Sequence, residues 1–208
     1  MRILVVAATK DEIAQAMNSI LSSQVDFLVT GVGMVATSFQ LGKKLAGPVA
    51  YDLILNVGIA GAFDRSLSPG TLVNIIEDRF SELGAEDGDE WLSIDELGFG
   101  ESTFYNHYTL RDPAVDTLVS CHSVTVNSVH GNMERIDQFR MRNPEVQTES
   151  MEGAAVFYAA RQAQLQVLQI RAISNYVEAR NKDAWDIPLA IGELNAWLSQ
   201  FIASKIHE

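Results

Sequence analysis

The sequence predicts one globular α/β domain, a mostly parallel sheet covered by helices on both faces. Two observations carry that expectation. Short apolar runs alternate with stretches of helical periodicity, as strands joined by covering helices do. The 208 residues, 47% hydrophobic and 20% charged, suffice for one sizeable core and require no second domain, so the domain is placed at residues 1–208.

The elements follow in chain order. The apolar opening from Met1 to Ala8 predicts a strand over 2–8; it is far too short for a signal core or a membrane span, and Lys10, Asp11 and Glu12 end it. Asp11 and Glu12 suit the amino terminus of a helix over 11–21. A strand over 25–30 leads through Gly31-Val32-Gly33 into a helix over 35–46. The run Leu53 to Val57 predicts a strand over 52–57, and Pro69-Gly70 breaks the chain before another over 71–77. Residues 81–114 follow no clean period: four glycines, an acidic cluster, and Trp91, Phe99, Phe104, Tyr105 and Tyr108 read as a long loop excursion, and long ordered loops are often part of a site. Beyond it lie a strand over 122–127, a helix over 134–142 stopped by Asn143-Pro144, a helix over 151–163, a largely buried strand over 165–173 and a helix over 188–205.

Charge and cysteine content exclude several function classes. A net charge of -12 opposes a nucleic acid partner, which demands an excess of Lys and Arg. The lone Cys121 forms no internal disulfide and is not expected to act as a nucleophile; with no export signal, the expected location is the reducing cytoplasm, with no membrane partner. No spacing of His, Cys and carboxylates suggests a metal site, and His107, His122 and His130 carry no assigned role.

Three stretches stand out. From Glu149 to Asn175, a helical pattern opens at Met151-Glu152-Gly153 and the following apolar strand closes on Arg171-Ala172-Ile173-Ser174-Asn175. Arg171, Ser174 and Asn175 fall at or beyond the carboxyl end of that strand, the ligand-facing edge of an open α/β sheet, where Arg171 is expensive unless paired. The second stretch, Gly31-Val32-Gly33-Met34-Val35-Ala36, matches the dinucleotide fingerprint G-x-G-x-x-G/A. The acid such a site needs belongs at the far end of the next strand, whereas Asp52 precedes its run, so a tight strand-to-helix turn explains the glycines better than NAD binding. The third, Asn56-Val57-Gly58-Ile59-Ala60-Gly61-Ala62, is a small-residue run that lets backbone amides approach a flat ligand or an adjacent chain, although a ligand-free turn looks the same.

Together with Thr9-Lys10-Asp11-Glu12, these segments resemble, in order and over nearly the whole chain, the nucleoside phosphorylase and nucleosidase superfamily, in the hydrolytic branch that includes methylthioadenosine/S-adenosylhomocysteine nucleosidase. The ending Arg171-Ala172-Ile173-Ser174-Asn175-Tyr176-Val177-Glu178 resembles most the futalosine hydrolase family of menaquinone biosynthesis. The resemblance implies a three-layer αβα sandwich with a mixed, mostly parallel sheet, a cofactor-free hydrolysis of an N-glycosidic bond, a small-molecule nucleoside partner, and a homodimer or higher homo-oligomer. Such cleavage passes through an oxocarbenium-like sugar, so ribose must be held, water delivered and the base made a better leaving group.

By that resemblance Glu12 activates the water, although position alone would make it a solvated first-turn residue. Glu152 accepts from the ribose hydroxyls with Met151 packed on the sugar; helix-terminus electrostatics and core packing are the plainer explanations. Arg171 pairs with Glu12 or Glu152, in a catalytic or a purely structural ion pair. Ile59, Ala60 and Gly61 line the ligand, and Val129, beside His130, falls in the segment whose family counterpart lines the base through backbone atoms. Asn175, with Ser174, narrows the substrate: adenosine-cleaving relatives have Asp here, whereas an amide donates to the oxygen of a 6-oxopurine and accepts from a protonated N7. A mispaired buried edge costs about 1–3 kcal/mol, enough to separate hypoxanthine from adenine nucleosides; the alternative is an Asn that caps a turn.

Two further departures matter. Ile59 replaces the family's serine, and Asp11 and Glu12 would repel a phosphate dianion, so water is the expected nucleophile and Arg65 a solvated turn residue. The keto chain and benzoate of futalosine need an apolar wall and a cation, for which Phe104, Tyr105, Tyr108, Tyr176 and Arg180 are available, with core packing or solvent exposure as their other uses. Other readings are a methylthioadenosine/S-adenosylhomocysteine nucleosidase, an inosine-type purine nucleoside phosphorylase, an NAD-dependent oxidoreductase and a silent nucleoside-binding module.

Overall fold

The computed structural model describes residues 1–88 and 90–206; Asp89, inside the expected excursion, and the last two residues of the 1–208 domain lie outside the described residues. Strands are β1 (Ile3–Ala7), β2 (Val25–Val29), β3 (Leu53–Ala62), β4 (Leu72–Phe80), β5 (Gly84–Asp87), β6 (Glu90–Ser93), β7 (Thr103–Tyr105), β8 (Val119–Thr125), β9 (Thr148–Ser150) and β10 (Gln166–Tyr176). Helices are α1 (Lys10–Ser19), α2 (Met34–Leu45), α3 (Pro113–Asp116), α4 (Met133–Arg142), α5 (Gly153–Gln162) and α6 (Ile187–Ile206).

An eight-stranded sheet runs β10-β4-β8-β9-β3-β1-β2, with β7 added on β4. Its β1–β2, β1–β3, β3–β10, β4–β8 and β8–β9 pairings are parallel, and β4–β10, β3–β9 and β4–β7 are antiparallel. The sheet is therefore mixed and mostly parallel, as expected. Because β3 also pairs with β10, strands β3, β10, β4, β8 and β9 close into a ring, and β1 and β2 extend it on one side. The long β3 makes this possible: residues 53–56 pair with β1, whereas Gly61 and Ala62 pair with β9.

Both faces of the open part are covered, which is why β1 is buried at every position. Ile3, Val5, Leu53, Leu55 and Leu168 point to one side, into a core completed by Ile13 and Ala16 of α1 and by Leu194, Leu198 and Phe201 of α6. Leu4, Val6, Ile54 and Val167 point to the other, against Leu41 of α2 and Val156, Phe157 and Ala160 of α5. Asn195 of α6 is a polar bolt in the first core: its amide accepts from the backbone N–H of Ala16 at 3.0 Å and donates to the backbone carbonyl of Glu12 at 2.8 Å. No helix among the described residues is long and apolar enough to cross a membrane.

The excursion is more ordered than expected. It contains the β5–β6 hairpin, the added strand β7 and the short helix α3. Phe104 is buried against Phe80 and Tyr158, and Tyr108 packs against Phe201, so both serve the core rather than a ligand wall. Tyr105 is exposed on the border of a cavity of about 1420 Å³ beside α4. Cys121 is buried and its thiol is pushed up to about 11, chiefly by desolvation, which removes it as a nucleophile at neutral pH.

A polar chain crosses the interior where β3, β4, β8, β10 and α5 meet. Asp78, with no exposed surface, accepts from Gln169 Nε2 at 2.7 Å and from Thr125 Oγ1 at 2.9 Å. Thr125 Oγ1 in turn accepts from the Ala154 N–H at 2.7 Å, at the start of α5. Gln169 Oε1 accepts from Asn56 Nδ2 and, at 3.3 Å, from the Arg171 guanidinium. One carboxylate is thus linked to both Arg171 and α5. A side chain on Gly153 would overlap Asp78 Oδ2 and the Gln169 amide, so only glycine lets α5 approach this closely.

Two outcomes follow from this packing. Gly153→Ala forces the chain apart and should cost about 1–3 kcal/mol in urea unfolding. Desolvation pushes the Asp78 carboxyl up from 3.8 to about 6, so the folded state retains a proton that the unfolded chain releases, and this group costs stability as pH rises through that window. Asp78→Asn loses an acceptor and should be less stable at pH 4.5; its deficit should narrow towards pH 7.5 by about 2 kcal/mol, read as the difference in unfolding free energy from the parent chain.

Candidate active site

The carboxyl ends of β1, β3 and β10 converge with the starts of α1, α2 and α5. Glu12, the third residue of α1, is only 6% exposed, so it is not the solvated first-turn residue its position suggests. Oε2 accepts from the Thr9 N–H at 2.8 Å and the Thr9 hydroxyl at 2.9 Å, a capping box that fixes the side chain. Oε1 accepts from the Ile59 N–H at 3.1 Å and so reaches across to β3. The carboxylate is held by backbone at both oxygens.

Arg171 is 1% exposed and its guanidinium fills the space above Gly58, where a Cβ would overlap Nη1 and lie 2.8 Å from Glu12 Oε1. Gly58 therefore permits the approach of base and acid. The direct ion pair expected for Arg171 is not formed among the described residues: its polar contact is Gln169 Oε1, and its charge acts on Glu152 and Asp78 through space. Its Nε finds no hydrogen-bond partner among the described residues.

Glu152 caps α5 in position but not in bonding, since its side chain makes no cap hydrogen bond and instead accepts from the Gly33 N–H at 2.9 Å. Gly31 and Gly33 adopt φ of 86° and 94°, which swing β2 into α2 and aim that N–H at the carboxylate. The glycines thus serve Glu152 rather than a pyrophosphate, and Asp52 accepts from the Arg2 N–H at the opposite end of the strands, so the dinucleotide reading fails. Desolvation raises the Glu152 carboxyl above the usual range, the nearby Glu12 charge adds to the rise, and Arg171 and the Gly33 bond oppose it. The two acids feel each other across one crevice.

At the end of β10, a register shift between Ile173 and Asn175 lets Ser174 point inward, where its hydroxyl meets Ala60 O at 3.3 Å and Asn175 Oδ1 at 2.7 Å. Asn175 donates one N–H to Tyr176 O at 2.9 Å, leaving its second N–H and one lone pair unspent. It sits across from Gly61, with Val177 closing the space beside Nδ2. Met151 packs against the apolar cluster that contains Phe63, Phe139 and Val177, and Val129 is exposed.

The structure thus brings Glu12, Ile59, Glu152 and Arg171 close to one another, and separately Ala60, Gly61, Ser174 and Asn175 where β3 and β10 pair; Met151 lies beside Glu152 in sequence and packs on another apolar cluster. Tyr176 is turned to other partners: its ring packs against the apolar cluster that contains Ala62, Leu67 and Ile173, with Arg65 stacked 4.5 Å from its centroid. Arg65 is not merely a solvated turn residue either, since it also pairs with Glu178 at 2.7 Å. Arg180 is exposed and lies 5.6 Å over Trp185. Sequence reasoning missed Asp78, Gln169, Asn56 and Thr125, although Asn56 and Gln169 stand inside apolar runs as Arg171 does. It also left His130 as an incidental residue; the ring is 17% exposed and hydrogen-bonded to Glu149.

Known proteins share this fold. A sequence profile described as the Phosphorylase superfamily matches residues 19–203. The futalosine hydrolase of Streptomyces coelicolor is 32% identical over 175 residues, covering 81% of this chain and 74% of that protein. The solved futalosine hydrolase of Helicobacter pylori superposes with a TM-score of 0.83 at 14% identity, over 98% of each chain. The 5'-methylthioadenosine/S-adenosylhomocysteine nucleosidase of Neisseria meningitidis, solved with methylthio-immucillin-A, gives 0.80 at 18% identity, over 98% of this chain and 99% of that one. These likenesses carry the fold, and the profile match together with the Streptomyces relative shows that the chain belongs to the Phosphorylase superfamily.

Proposed function

We propose that this protein hydrolyses the N-glycosidic bond of futalosine, releasing hypoxanthine and dehypoxanthine futalosine. What supports the reading is the pair of buried carboxylates, Glu12 and Glu152, close enough to act on each other, at the carboxyl ends of the strands where β10 also bears an amide, Asn175, in place of the carboxyl of adenosine-cleaving relatives. The futalosine hydrolases among the relatives support the same substrate.

The chemistry divides among named groups. As the bond from the anomeric carbon to N9 breaks, its electron pair passes to the purine and positive charge develops on the sugar. Glu12 takes a proton from the attacking water and offsets that charge; Arg171, beside it over Gly58, orients the water and Glu12. Glu152 accepts from the ribose hydroxyls while Met151 packs on the sugar. Ile59, Ala60, Gly61 and Val129 border the nucleoside. Solvent water supplies the proton that N7 takes up as the purine leaves, and Glu12 later releases its proton to solvent; Asn175, oriented by Ser174, donates to the purine oxygen and accepts from the protonated N7. The crevice lacks the serine that relatives use near phosphate, and its two acids repel a phosphate dianion, so water is the nucleophile. Exposed Val32, Val35 and Phe39 near Gly33 offer an apolar surface to a second copy of the chain, in keeping with a cytoplasmic homodimer or higher homo-oligomer.

Purified protein incubated with futalosine should release hypoxanthine without phosphate, detected by chromatography; adenine release from methylthioadenosine in preference, or dependence on phosphate, would reject the reading. Glu12→Gln can keep the Thr9 cap but loses the acceptor for the Ile59 N–H, so it should be about 1–2 kcal/mol less stable yet remain folded at 25 °C, while kcat falls by about 100-fold or more. An active Glu12→Gln variant removes Glu12 from the mechanism.

A further inference from the structure

The polar chain inside the sheet contains one acid that the reaction above does not use. Asp78 is fully buried, and each of its oxygens meets a donor whose direction is set elsewhere. Arg171 has N–H groups and no acceptor, so the end of the Gln169 amide that meets its Nη2 at 3.3 Å must be the oxygen. The other end, Nε2, must then donate to Asp78 Oδ2 at 2.7 Å. The Ala154 N–H donates to Thr125 Oγ1 at 2.7 Å, so the single hydroxyl hydrogen of Thr125 goes to Asp78 Oδ1 at 2.9 Å. Two acceptors are required, and the ionised carboxylate supplies both.

A proton on Oδ2 confronts the Gln169 N–H and is relieved by turning the amide end for end, which sets an NH2 group against a guanidinium that has no acceptor to offer. A proton on Oδ1 strands the Thr125 hydrogen in the interior. The orientation of Arg171 hangs on that amide: Gln169 holds Nη2, Nε finds no partner among the described residues, and Nη1 is left over Gly58 beside Glu12 Oε1. Because the guanidinium is planar, fixing one amino group aims the other.

Of the groups packed round Asp78, Arg171 of β10 acts on it through space, whereas Thr125 of β8, Asn56 of β3, Phe104 of β7 and Gly153 and Ala154 of α5 are neutral. Glu152, at the start of α5, is turned to Gly33, and the neighbours Glu77 and Arg79 on β4 pair with His122 and Glu145. Desolvation pushes the Asp78 carboxyl up to about 6, against the Gln169, Thr125 and Arg171 contacts that hold it down. The group is therefore charged at neutral pH and loses that charge in mild acid.

We propose that Asp78 is a positioning residue for the reaction: as a carboxylate it fixes the Gln169 amide, and through it the edge that Arg171 turns towards Glu12 and the attacking water, so that turnover depends on its charge. The proposal rests on the hydrolase reading of the crevice. Asp78 touches no substrate and moves no proton; it acts by keeping one amide from turning.

The test compares the parent chain with Asp78→Asn, which puts an N–H and an oxygen where the carboxylate has two oxygens and so no longer dictates which end of the Gln169 amide faces it. Futalosine hydrolysis is followed from pH 5 to pH 7.5 and expressed per folded protein, measured by circular dichroism. At pH 7.5 kcat should fall on the order of 10-fold to 100-fold with KM within about 3-fold, and the ratio of the two kcat values should shrink below about pH 6 as the parent loses the same charge. That trend runs against the stability difference, which widens as pH falls, so loss of folded protein does not produce it. Protonation of the crevice acids affects both proteins alike and cancels in the ratio. Gln169→Met should lower kcat by a similar factor, and the double variant should be no slower than the slower single one. A kcat within about 2-fold of the parent at pH 7.5, or a ratio that does not shrink towards pH 5, overturns the role of Asp78 and leaves the hydrolase reading standing. The guanidinium resonances of Arg171, in protein carrying isotope-labelled arginine, give a readout free of turnover: they should shift with a midpoint of about 6 in the parent and stay fixed in Asp78→Asn. If they do so while the parent cleaves no futalosine, the relay stands and the hydrolase reading fails; if they do not, the relay itself is overturned.

Discussion

A guanidinium inside an apolar sheet is tolerated only if its surroundings are built for it, and Arg171 sets that condition for this molecule. Space comes from Gly58, which leaves the guanidinium room above β3. Bonding comes from Gln169, which is held by Asn56 and Asp78. Charge balance comes from Asp78 and Glu152, neither of which touches the arginine as a simple ion pair. The arrangement shares one cation between two acids, with Glu12 close by over Gly58. Asp78 also holds α5 through Thr125 and Ala154, so the helix bearing Glu152 and the strand bearing Arg171 are referenced to a single buried point.

Much of this was legible in the sequence because local signals agreed with the global answer. The runs at 53–57 and 165–173 are strands, and the starts of α1, α2 and α5 fall within a residue or two of the caps and glycines that announce them. The long β3 outran its apolar core because its second half, Gly58 to Ala62, is made of small residues that look like a turn and pair instead with β9 and β10. The three residues of β9 carry no periodicity at all, and only non-local pairing makes them a strand. The ring closure is invisible for the same reason.

The site was legible by type and less so by partner. Polar residues in apolar runs mark it, and that rule found Arg171; applied to Asn56 and Gln169 it would have found their bonds. Asp78 sits beyond the expected end of its strand. The aromatics of the excursion were misread because exposure cannot be inferred from a stretch without a period: Phe104 and Tyr108 fill the core, and Tyr176 lies under Arg65.

Asn195 ties two distant parts of the chain together. Its amide joins α6 to the very turn of α1 that bears Glu12, a separation of 183 residues. The position of that turn is therefore shared between the local cap at Thr9 and a helix far along the sequence, so a change in how α6 packs is transmitted to the backbone beneath Glu12.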